Sequence, residues 1–70
     1  MALRYKVDIL AALKYRGYPT PRLRKEKLLS EYTIQGLREK RNISMNSLDV
    51  ICGLLGCQPG DLIEYIGGED

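Results

Sequence analysis

Nine of the eleven basic side chains in this sequence fall between Lys14 and Asn42: Lys14, Arg16, Arg22, Arg24, Lys25, Lys27, Arg38, Lys40 and Arg41. Only Glu26, Glu31 and Glu39 oppose them there, so the segment carries +6. The flanks set Arg4 and Lys6 against Asp8, Asp49, Asp61, Glu64, Glu69 and Asp70 and carry −4, a division hidden in the net charge of +2. A basic middle between acidic flanks suits a molecule that lays one face on a polyanion and turns the other away. A merely solvated charged face would have the same composition, so charge alone leaves both readings open.

The residues that bond-making chemistry needs are scarce. The chain has no histidine, and its two cysteines, Cys52 and Cys57, are too few to hold zinc or to build a disulfide scaffold. There is no glycine-rich phosphate loop, and a 70-residue chain has little room to bury a pair of carboxylates in a cleft. The expectation is therefore no enzyme, no cofactor and no metal, with Cys52 a small core residue in a reducing compartment. No apolar run is long enough to cross a bilayer, and Met1-Ala2-Leu3-Arg4 does not read as a secretion signal. A soluble, cytoplasmic protein is expected, with no membrane partner and no evident small-molecule ligand.

The basic segment needs a scaffold, and the apolar periodicity predicts a helical one. Ile9, Leu10 and Leu13 share a stripe over about Tyr5 to Arg16, which Gly17 ends as a left-handed residue. Thr20 caps a short second helix, about Pro21 to Lys27, with Leu23 inward and Pro21 at the first position, where its missing N–H costs nothing. Leu28-Leu29 make an apolar step, and Ser30 caps a third helix, about Glu31 to Arg38, with Thr33, Ile34 and Leu37 on one face. After a polar loop, Glu39 to Ile43, a fourth helix from Ser44 to about Leu55 buries Leu48, Ile51, Cys52 and Leu55, and Gly56 stops it. Gln58-Pro59-Gly60-Asp61 reads as helix-start chemistry for a fifth, with Leu62, Ile63 and Ile66 inward. Nothing alternates with period two, and no repeat is evident. The prediction is an all-α, compact five-helix bundle forming a single domain over residues 1–70, with its core over about 5–66.

Two short helices joined by a tight turn, Pro21–Lys27 and Glu31–Arg38, make a helix-turn-helix, in which the first helix braces the second so that it projects into the major groove. The runs Leu29-Ser30-x-x-Thr33-Ile34-x-x-Leu37-Arg38, Ile43-Ser44-x-x-Ser47-Leu48-Asp49-x-Ile51-Cys52 and Leu55-Gly56-Cys57-Gln58-Pro59-Gly60-Asp61-Leu62 together resemble the phage-repressor (Cro/repressor-type) helix-turn-helix domain of the xenobiotic-response-element (XRE) family, and its small stand-alone members most of all. The resemblance covers about residues 5 to 66. It implies a lambda-repressor-like DNA-binding domain, a transcriptional regulator or repressor, reading double-stranded operator DNA with the third helix, frequently as a homodimer.

Carried over by position, the base-contacting residues are Glu31, Tyr32, Gln35 and Gly36, and the phosphate-contacting residues are Thr20, Arg22, Arg24, Ser30, Thr33, Arg38, Lys40 and Arg41. The family often has a small residue where Arg24 stands and a turn glycine where Leu28 stands. Ser30 is first of all a cap, and Tyr32 has two readings, packing against the scaffold or lying against a thymine methyl. Tyr15, Tyr18 and Tyr65 read as satellite packing. The runner-up function is a protein-interaction module of the same fold, an antitoxin-like or co-regulator subunit. One small module contacts few base pairs, so pairing is expected; Leu62, Ile63, Tyr65 and Ile66 of the last helix have two readings, a pairing surface or plain core packing.

Overall fold

Four helices and a two-stranded ribbon make up residues 2–67, the part of the chain that the computed structural model describes. In order they are β1 (Ala2–Tyr5), α1 (Ile9–Tyr15), α2 (Thr20–Lys25), α3 (Glu31–Arg38), α4 (Met45–Leu55), a 3-10 turn at Pro59–Asp61, and β2 (Ile63–Ile66). Leu13, Leu23, Ile34 and Ile51 are wholly shielded from water, one from each helix, and they lie in a single cluster with Ile9, Leu29, Leu37, Leu55 and Leu62. Burying each such side chain contributes about 1.5–3 kcal/mol, so these positions set how the helices sit together.

The helix ends are written in the sequence. Asp8 caps α1 by accepting from the Ala11 N–H at 3.1 Å. Ser30 and Ser44 cap α3 and α4 by accepting from the N–H groups of Thr33 and Ser47. Gly17 and Gly56 take left-handed φ values of 94° and 67° where α1 and α4 stop. Arg22 braces the α1–α2 connector: it donates to the Gly17 carbonyl at 2.8 Å, pairs with Glu26 at 2.8 Å and lies 4.6 Å from the centre of the Tyr18 ring.

The expected five-helix, all-α bundle is corrected at both ends of the fold. After the single 3-10 turn the chain does not continue as a helix but extends, and β2 pairs antiparallel with β1 in the register Leu3↔Tyr65, Arg4↔Glu64, Tyr5↔Ile63. Residues 5–8 likewise leave the expected first helix, which starts at Ile9. The cause is pairing between distant segments. Each strand has four residues, too short to show a period, and its partner stands about sixty residues away. The register puts Leu3, Tyr5, Ile63 and Tyr65 on one face and the Arg4–Glu64 ion pair, 2.6 Å, on the other.

Smaller departures have local causes. Thr20 is the first residue of α2 rather than its cap; Pro19 holds that position and makes no side-chain cap bond. The left-handed residue of the α2–α3 turn is Lys27, φ 55°, and not Leu28, which is half-buried. Leu62 belongs to the core, so of the residues expected on a pairing helix only Tyr65 and Ile66 are exposed, on a strand, with Ile63 half-buried. Cys52 and Cys57 are free and half-buried, and burial pushes the Cys52 thiol up, which keeps it a neutral packing group.

A left-handed backbone costs a non-glycine residue about 1–2 kcal/mol, partly offset by the greater freedom of glycine in the unfolded chain. Lys27→Gly is therefore expected to raise the melting temperature by about 2–8 °C in a thermal scan followed by circular dichroism. A fall would show that the lysine side chain itself holds the turn.

Candidate nucleic-acid interface

Residue 34 is the inward anchor of α3, and helical geometry decides what that leaves outside. Ile34 and Leu37 face the core with Thr33 and Gly36, while Glu31, Tyr32 and Arg38 are exposed and Gln35 is half-buried. Glu31, Tyr32 and Gln35 thus stand together on the outer side of the helix, as the sequence led one to expect.

Gly36 does not join them. The loop after α3 turns back over it, with the Arg41 N–H donating to the Gly36 carbonyl at 2.7 Å. A methyl group at Gly36 would sit 3.9 Å from Ile43 and 4.0 Å from Arg41, so this position faces the returning loop rather than open solvent. Thr33 lies on the inner face with Ile34 and Leu37, as its spacing predicted, and not among exposed phosphate ligands as the resemblance implied. It is 8% exposed, and its hydroxyl is shared with Ser30 at 3.0 Å and Ser47 at 3.1 Å. Ser47 in turn accepts from the Ser44 hydroxyl at 3.0 Å. A chain of four hydroxyls therefore links the cap of α3 to the cap of α4, and Ser30 acts in it as a structural group.

The outer side of α3 is a network of charged and polar contacts. Arg24 of α2 grips Glu31 with two parallel bonds, Nε to Oε1 at 2.6 Å and Nη2 to Oε2 at 3.0 Å. That guanidinium holds the Glu31 carboxyl below the usual carboxylate range, so it is ionised and accepts only. Gln35 donates to Glu39 at 2.6 Å and accepts from Arg38 at 3.3 Å. The Gln35 amide, and then Arg41, lower the Glu39 carboxyl in the same way. Arg41 pairs with Glu39 at 2.9 Å and lies 4.9 Å from the centre of the Tyr32 ring, which is 71% exposed and therefore stacked outside rather than packed in the core. From behind, the Tyr5 hydroxyl of β1 donates to the Arg41 carbonyl and anchors the loop to the ribbon.

Basic side chains bracket this helix. At its first turn Arg24, Lys27, Ser30 and Glu31 line one shallow depression with Leu29. At its last turn Lys14, Thr20, Arg38 and Lys40 line another, with Asp8 at its edge. Arg22 stands apart from both, committed to the α1–α2 connector. Lys14 and Lys27 were legible only as part of the positive count; nothing in their spacing tied them to the ends of α3. The Arg24–Glu31 and Arg41–Tyr32 contacts also escaped the sequence, since each joins residues seven or more apart across a turn. Among the described residues no cluster of histidine, cysteine or carboxylate side chains is placed to hold a metal ion, and no helix is long and apolar enough to cross a membrane.

Comparison with known proteins agrees with this geometry. The family model of the Cro/C1-type HTH DNA-binding domain matches residues 9–68. An uncharacterised HTH-type transcriptional regulator of Bacillus subtilis (strain 168), YozG, is 29% identical over 70 residues, covering all of this chain and 83% of that protein. No solved structure matches. The matched span contains α2, the turn at Lys27 and α3, with every helix of the core around them, and the chain belongs to the Cro/C1-type helix-turn-helix DNA-binding domain family.

Proposed function

We propose that this protein is a transcriptional regulator that binds a double-stranded DNA operator in the cytoplasm, with α3 laid in the major groove. One observation carries the reading: the outer side of α3 offers Glu31, Tyr32 and Gln35, and a basic depression lies at each end of the same helix. Side chains able to reach base edges thus sit between groups able to hold phosphates, the division of labour that sequence reading requires. Lys14, Lys25, Lys27, Arg38 and Lys40 have no acidic partner among the described residues and remain available to phosphate oxygens. Thr20 and Arg41 stand beside them, Thr20 within the second depression.

The reading includes a homodimer on a two-fold operator. A single small module buries too little DNA for tight specific binding, and pairing sets two recognition helices about 34 Å apart. The surface that suits pairing is mainly apolar and adjoins the loop after α3: Leu3, Tyr5, Ile43, Met45, Leu48 and Ile63 line one groove, with Arg4, Lys40 and Asn42 also on its wall. Leu3 and Met45 at its rim are 60% and 83% exposed, and Tyr65, 61% exposed, stands beside Leu3. Apolar surface of this kind is unfavourable in water unless a partner covers it.

The salt dependence of binding to a selected operator tests the docking. Affinity is expected to fall steeply with salt, and neutralising Arg38 and Lys40 together (Arg38→Gln, Lys40→Gln) should flatten the log–log slope by about two units while lowering affinity for all sequences alike. Unchanged binding at low salt would remove these two residues from the interface, and a wild-type protein that bound no duplex would end the DNA reading in favour of a protein partner. Met45→Glu tests the pairing: it should leave the melting temperature nearly unchanged, since the residue is exposed, yet convert two protomers per operator to one in sedimentation of the complex. Two protomers retained with Met45→Glu would place the pairing surface elsewhere.

A further inference from the structure

Glu31 presents a difficulty that the docking of α3 does not resolve. An ionised carboxylate at the first turn of a recognition helix faces a polyanion, where a bare acid repels phosphates and weakens binding to every sequence. In this structure the acid is not bare. Both oxygens are held by the Arg24 fork, at 2.6 and 3.0 Å, from the preceding helix. The two side chains are 46% and 63% exposed, so the pair contributes little to folding, and its charge-assisted geometry calls for another use.

We propose that Arg24 and Glu31 work as one reading unit, in which Arg24 is a positioning residue that presents the Glu31 carboxylate to the amino group of a cytosine, so that the operator requires a C·G pair where the first turn of α3 meets the groove. The proposal rests on the docking of α3 given above. Several observations lead to it. The fork uses one lone pair on each carboxylate oxygen and leaves another on each, so Glu31 still accepts while paired. It cannot donate, which rules out direct recognition of guanine N7 and O6 or thymine O4. Only cytosine N4 and adenine N6 donate in the major groove. The adenine donor is flanked by the N7 acceptor, which repels a carboxylate, whereas the cytosine donor is flanked by a C–H. The Arg24 charge offsets that of Glu31 near the phosphates, and its Nη1 has no acceptor among the described residues, which leaves that edge for a phosphate oxygen. The two stand seven positions apart across the α2–α3 turn, so the turn that sets the helices apart also fixes the reader in place.

The test uses the full chain and duplexes selected from a random pool, with binding measured to the selected site and to every single-pair variant of it. The wild-type protein is expected to prefer C·G at one position per half-site by about tenfold or more. Glu31→Gln should remove that preference or move it to A·T. Arg24→Lys is the decisive variant, because it keeps the charge and loses the fork. It should keep the salt slope and the melting temperature but reduce the C·G preference about fivefold or more. Full preference retained in Arg24→Lys would make Arg24 a phosphate ligand only and overturn the proposal, as would full preference in Glu31→Gln. A wild-type protein that binds duplexes without any such position would overturn it too, leaving the docking of α3 intact. One that binds no duplex would instead remove the reading on which it rests. Glu31→Asp gives a second check, since its shorter side chain keeps the charge and should lose the same preference.

Discussion

The exclusion of water from four side chains, one on each helix, governs the rest of this structure. Leu13, Leu23, Ile34 and Ile51 must bury together, and a short helix can point only one stripe inward at a time. With Ile34 and Leu37 committed to the core, α3 has no choice about what it shows to solvent. The hydroxyl chain from Ser30 through Thr33 and Ser47 to Ser44 adds a polar constraint to the apolar one, because it ties the first turn of α3 to the first turn of α4. The helix proposed to meet DNA, α3, is thus fixed in rotation by packing and along its axis by its cap.

The same economy shapes the electrostatics. Five of the nine cations of the +6 segment, Lys14, Arg24, Lys27, Arg38 and Lys40, line the depressions at the two ends of α3, where phosphates flanking a major groove would lie. Between those ends the acids are all engaged: Glu31 by Arg24, Glu39 by Gln35 and Arg41. Neutral networks of this kind do not attract DNA; they give shape and direction to acceptors and donors. In the proposed docking, attraction and discrimination fall to largely different residues of one short stretch of chain.

How much of this was legible in the sequence depends on distance along the chain. The bounds of α3, its cap at Ser30 and the stop at Gly56 are local events, decided by residues three or four apart, and the pattern showed them; Ser44, read as the first residue of α4, proved to be its cap. The outward side of Glu31, Tyr32 and Gln35 followed from the same period. Gly36 was misplaced because the loop that covers it, residues 39–43, returns from outside the helix, and no helical wheel contains that loop. The ribbon was missed for the same reason on a larger scale: Ile63–Ile66 extends because Ala2–Tyr5 is beside it, and its own apolar residues suit a helix equally well. Lys27 carries no mark of its left-handed backbone, since lysine is an unusual occupant of that region.

The pairing of β1 with β2 has a kinetic side. Among the helices α1 packs against α3 and α4, and the ribbon closes a still longer loop that holds every helix of the fold. Closing so long a loop costs about 2–3 kcal/mol of chain entropy beyond that of a local turn, a cost that falls once the helices have drawn its ends together. Opening of the ribbon would uncover the flank of the helix core on which Tyr5 and Ile63 pack. Such an opening breaks the bond from Tyr5 to the Arg41 carbonyl and releases the loop that carries Arg41, and with it the stacking on Tyr32. The far ribbon therefore acts as a brake on the motion of one side chain beside α3.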